Sequence, residues 1–112
     1  MGEAKFTPGP WIAGPPATGM NPNEYRYVHA GGELVARVCA GYAPGRRLAD
    51  QMEANARLIA AAPELLAALR EFMDIWNSSD ARSDSRRAIA RRAAMWKNAE
   101  AAIRKATEPA DA

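Results

Sequence analysis

The chain has 112 residues, 48% of them hydrophobic and 25% charged, with a formal net charge of +2 from 15 basic against 13 acidic side chains. That length supports one domain, residues 1–112, with a modest core, and the composition is ordinary for a soluble globular protein. So even a charge balance argues against a broad duplex-DNA face.

No stretch approaches the roughly 18 apolar residues of a membrane span, and the opening MGEAKFTPGPW lacks the apolar core of a signal peptide. A single cysteine, Cys39, excludes an internal disulfide and fits a reducing cytoplasm. Because it stands in an apolar run, a buried and inert thiol is expected.

Residues 1–24 are punctuated by Pro8, Pro10, Pro15, Pro16 and Pro22, which excludes a long helix or a central strand. Trp11-Ile12-Ala13 is expected as an edge strand, with Trp11 pinned into the core. From Tyr25 the texture changes. Tyr25-Arg26-Tyr27-Val28-His29 and Glu33 to Cys39 flank Gly31-Gly32, which is a β-hairpin signal. Alternation puts Leu34, Ala36 and Val38 on the core face and Arg37 on the outer one. Gly41 to Gly45 reads as a loop.

Helical spacing begins near Arg47 or Leu48. Met52, Ile59, Leu66 and Met73 are seven apart, as are Leu48, Asn55, Ala62, Leu69 and Trp76, and the two series form an a/d seam. Pro63 lies inside this pattern and predicts either one helix kinked there or two abutting helices with the proline in a first turn. Asn77-Ser78-Ser79-Asp80 ends the element. A second helix is expected from about Ala81 to Thr107, packed through Ile89, Trp96 and Ile103 with Ala99 and Ala106 alongside. The short link favours an antiparallel helical hairpin.

The expected fold class is therefore α+β. An N-terminal antiparallel β-hairpin or small sheet (1–46, with the proline-rich arm) packs on a long C-terminal antiparallel helical hairpin (47–107).

Signs of catalysis are sparse. His29 is the only histidine and Cys39 the only cysteine, so metal-ligand clusters of the usual spacing cannot be assembled. The acidic residues form no close pair on an apolar background. The chain is expected not to be an enzyme and to carry no cofactor or metal.

Binding residues are easier to nominate. Arg86-Arg87-Ala88-Ile89-Ala90-Arg91-Arg92 is the densest cationic group, and Arg87 and Arg91 are one helical turn apart. Arginine forks of this kind grip phosphates; the plainer reading is a solvated face flanked by Asp80 and Asp84. Asn55 falls in the seam between Met52 and Ile59, where an unpaired amide costs roughly 1–3 kcal/mol. It would either anchor the protein's own backbone or, with Arg57 beside it and Arg37 on the ribbon, face a ligand. Trp11, Trp76 and Trp96 are expected in the core. Tyr25, Tyr27 and Tyr42 are better placed for surface stacking. The first helix carries a richer apolar stripe than one partner helix and a small sheet need, which implies a homodimer or higher oligomer.

Two motifs, TPGPW (Thr7 to Trp11) and NARLIAAAPELLAAL (Asn55 to Leu69), together resemble a widespread group of small phage and prophage proteins whose function is mostly undescribed. The resemblance spans residues 6–76; the arginine-rich final helix is less typical of the group. The β-ribbon followed by two long helices also looks like the Thoeris anti-defence sponges of phages. That second likeness is of architecture alone. It implies a non-enzymatic counter-defence oligomer in the infected bacterial cytoplasm, sequestering cyclic ADP-ribose or cyclic oligonucleotide signals between subunits. The rival expectations are an anti-CRISPR-like inhibitor of a host protein or nucleic-acid complex and a structural accessory protein.

Overall fold

The computed structural model describes the backbone of residues 5–14, 25–39, 41–43 and 46–108, and the side chains of these except at 25, 41–43 and 46–50. Three antiparallel strands, β1 (Ile12–Gly14), β2 (Tyr25–Ala30) and β3 (Glu33–Cys39), lie in the spatial order β1-β2-β3. The β2–β3 turn is built on Gly31 and Gly32, both at positive φ (55° and 88°), a conformation that suits glycine because it lacks Cβ. Among the described residues β1 lies on the edge, paired to β2 alone, a place compatible with Pro10 shortly before it.

The hairpin register slips between Val28 and His29, which pair with Ala36 and Leu34 and leave Val35 as an extra residue. This bulge inverts the expected alternation beyond it. Val35 packs against the core, and Leu34, expected inside, is exposed. The stretch read as a loop forms instead a small two-stranded ladder, β4 (Gly41–Ala43) with β5 (Arg46–Leu48). Leu48 is therefore a strand residue and takes no part in helical phase.

Helix α1 (Ala49–Ala60) lies on the sheet. Met52, Ala56 and Ala60 meet Val28 and Val38, and Trp11, Ala13, Ala36 and Ile59 pack around them. Here the expected seam is corrected. The buried positions step by four from Met52, so Ala56 holds the place assigned to Asn55, which lies about 100° round the helix and is exposed. Its amide needs no buried partner.

After Ala61 comes α2 (Ala62–Trp76), with Pro63 in its first turn, where the missing N–H costs no helical bond. Two abutting helices, not one kinked helix, meet at the proline. A 3-10 turn (Ser79–Ala81) follows, capped by the Ser78 hydroxyl, which accepts from the Asp80 N–H at 3.2 Å. The last helix, α3, runs over Arg86–Thr107, starting later than expected because Ser85 caps it; the serine Oγ accepts from the Ala88 N–H at 3.1 Å.

Helices α2 and α3 pair antiparallel. Lys105 reaches Glu64 near one end, and Arg91 reaches Asp80 near the other. The seam of α3 is Ala88, Met95 and Ala102 with Ala99 and Ala106, displaced by one residue from the expected stripe. Ile89, Trp96 and Ile103 consequently face out. So do Leu69, Met73 and Trp76 of α2, while Ile75 is buried. Trp76 and Trp96 are thus surface residues, against expectation, and Trp11 alone of the three tryptophans joins the core. Cys39 is also exposed, because β3 turns that side of the ribbon outward. Tyr27, expected at the surface, is buried beside His29. Tyr25 and Tyr42 carry side chains outside the described set.

Among the described residues, no helix is long and apolar enough to cross a membrane.

Candidate functional site

The N-terminal motif is placed by its own bonds. The Trp11 indole Nε1 donates to the Thr7 carbonyl at 2.9 Å, and Phe6 meets the Trp11 ring edge to face at 6.4 Å. Folded this way, the segment lays Gly9 against Pro63, at the junction of α1 and α2. TPGPW and NARLIAAAPELLAAL, separate in sequence, touch in space.

Of the residues nominated from sequence, Arg37 is exposed on β3, where it has other interactions. Asn55 is exposed on α1. Arg57, next to it in the motif, is mostly withdrawn from solvent. Its guanidinium lies 3.7 Å from Glu53, and its Nε is buried without a hydrogen-bond partner. A buried donor left unpaired is a cost of about 1–3 kcal/mol that native structures seldom carry without a reason.

Arg87 is exposed on the first turn of α3, and Arg91 is held by the Asp80 carboxylate at 3.0 Å. Arg92 donates to the Asp80 carbonyl and, at 2.9 Å, to the Ser83 carbonyl. Two of the four arginines in this run therefore tie α3 to the turn before it. Arg91 is taken up by a carboxylate there and Arg92 by two backbone carbonyls. Arg91 and Arg87 also lie roughly 20 and 27 Å along α3 from Lys105, by the rise of a helix, so one protomer does not bring them to Arg57.

A groove that sequence reasoning missed lies between α2 and α3. It encloses about 380 Å³. Glu64, Glu71, Asn98 and Lys105 rim it, and Ala68 and Ala102 form part of its floor. Lys105 Nζ donates to Glu64 at 2.7 Å, and Asn98 Nδ2 donates to Glu71 at 3.3 Å. The second Glu64 oxygen is buried and unpartnered, seven positions on from Arg57 across the Ala61 junction. The alanine spacing on both helices was the available signal, since small residues let two helices approach closely. Partners 41 residues apart leave no local trace. Such a surface can hold a ligand by hydrogen bonds. Among the described residues no cluster of histidine, cysteine or carboxylate could seat a metal.

A model of the family described as Salmonella phage P22 protein Y8K6 matches residues 1–110. The chain belongs to that family. The match takes in both motifs and the arginine-bearing helix, so the last helix, which looked less typical of phage proteins, lies within the family's own span. No curated protein and no solved structure matches the chain.

Proposed function

We propose that this phage-family protein is a non-enzymatic counter-defence factor. It sequesters a cyclic nucleotide signal, of the cyclic ADP-ribose or cyclic oligonucleotide type, where subunits of a homo-oligomer meet in the infected cytoplasm. The observation that carries this reading is Arg57. A largely buried guanidinium with one unpaired Nε and only a loose contact to Glu53 is suited to take an acceptor oxygen from a phosphate or ribose. Arg37 stands on the ribbon. Arg87 would come to Arg57 from a neighbouring subunit, and Arg91 is committed to Asp80 unless the ligand displaces it. Asn55, exposed, could contribute only at such an interface.

Calorimetry with cyclic ADP-ribose isomers and cyclic di- and trinucleotides tests the proposal. Uptake of one of them, weakened at least tenfold in Arg57→Ala, is the expected result. No heat with any, on folded protein, would overturn it.

A second reading, an inhibitor of a host protein or nucleic-acid complex, draws on a different observation. Arg86, Lys97 and Arg104 are exposed on the outward face of α3. Stoichiometric capture of one host complex, indifferent to nucleotides, would favour it.

A further inference from the structure

The helical hairpin is built inside out. Of its described apolar residues, the buried ones are Ile75 and the alanines 88, 102 and 106, while most of the large ones lie outside. Trp76 and Trp96 are 64% and 63% exposed, and Leu69, Phe72, Ile89 and Ile103 lie between 46% and 58%.

These six share one side of the hairpin. Taking the α2–α3 contact as the reference, Leu69, Phe72 and Trp76 lie round α2 in the same sense as Ile89, Trp96 and Ile103 round α3. The antiparallel pairing sets them level. A shallow apolar pocket between Phe72, Trp76, Arg92 and Met95 lies along this side. The opposite side is the polar groove of Glu64, Glu71, Asn98 and Lys105.

We infer that this stripe is the surface through which two copies of the chain associate, hairpin on hairpin, into a four-helix bundle. Three observations select a second copy as the occupant. The exposed apolar area of the six side chains is roughly 700 Å², close to the per-partner area of about 800 Å² in a standard interface and beyond what a soluble monomer leaves in one patch. The spacing is that of helix-on-helix packing: Ile89, Trp96 and Ile103 recur every seven residues, as do Leu69 and Trp76, so the stripe fits helices. A bundle of four needs two more, and a two-fold axis supplies them from an identical hairpin. The elongated protomer, 17.7 Å in radius of gyration against about 13 Å for a compact domain of this length, has α1 as a further neighbour of α3 and still leaves these six side chains about half or more exposed.

The inference deepens the subunit-interface part of the proposed function and stands on exposure and periodicity. Sedimentation equilibrium of the full chain at micromolar concentration tests it. Wild type should run at twice the chain mass. Trp96→Lys and Leu69→Lys should run at one chain mass with an unchanged far-ultraviolet dichroism spectrum, and Asn98→Lys, on the polar side, should remain dimeric. Should the stripe variants fail to fold, the wild-type tryptophan emission serves in their place. Two of the three tryptophans lie in the stripe, so dilution should shift it to the red. A monomeric wild type, a dimer that survives both stripe variants, or an emission indifferent to dilution would overturn the inference. A dimer silent in calorimetry overturns the nucleotide reading alone; a monomer that takes up nucleotide overturns this inference and the subunit-interface part of the proposed function, and leaves nucleotide binding standing.

Discussion

Gly9 lies so close to Pro63 that a Cβ built on it would stand 3.2 Å from the proline Cβ. The contact joins the proline-rich arm to the point where α1 gives way to α2, and it gives the two motifs a shared structural purpose. Trp11, two residues on, packs into the sheet–α1 core beside Ile59.

Gly9→Val should therefore push the arm off the junction and lower stability by about 1–3 kcal/mol, the usual range for overpacking. Gly9→Ala, whose single methyl needs a shift of a few tenths of an ångström, should cost less. Urea denaturation of both variants measures the difference, and equal stability of wild type and Gly9→Val would discount the contact.

Asn55→Ala should leave stability within about 0.5 kcal/mol of wild type, as for other exposed positions. Ala56→Asn, one residue along and 1% exposed, should cost several times more by placing an amide in the core. Thermal denaturation of the pair locates the seam of α1. A large loss at Asn55 would return it to the buried face.

Met52, 1% exposed between the sheet and α1, is one of the two largest fully buried side chains. Met52→Ala should cost about 2–5 kcal/mol through lost burial and the cavity left behind. A loss under 1 kcal/mol would mean that the sheet and helix are not packed through it.

Ser85→Ala removes the acceptor for the Ala88 N–H and should cost about 1 kcal/mol, with fraying confined to the start of α3. Amide hydrogen exchange of residues 86–89 would show it. Protection unchanged there would assign the helix start to Arg91 and Arg92 instead.

The order of elements was legible because its signals are local. Gly31-Gly32 marks a turn whatever surrounds it, and Pro63 marks either a kink or a first-turn place in a helix. The side each element presents was less legible. Val35 enters the core through a bulge that no residue type announces. On α3 the large side chains advertise a seam, yet the helices meet through alanines, which carry little hydrophobic signal. An Ile/Trp stripe predicts burial correctly only if its partner is in the same chain. At the proposed site, Arg57 and Arg37 are nominated by residue type, but Glu64 and Lys105 meet across 41 residues and leave no such signal. Arg91, read as a ligand group, is bonded to Asp80, and its neighbour Arg92 to the carbonyls of the same turn.

The central claim is that subunits of this chain assemble and hold a nucleotide between them. A native mass spectrum of the protein purified from phage-infected cells tests it in one measurement. The account predicts a multiple of the chain mass carrying a nucleotide-sized increment that Arg57→Ala loses. A bare single chain would contradict it.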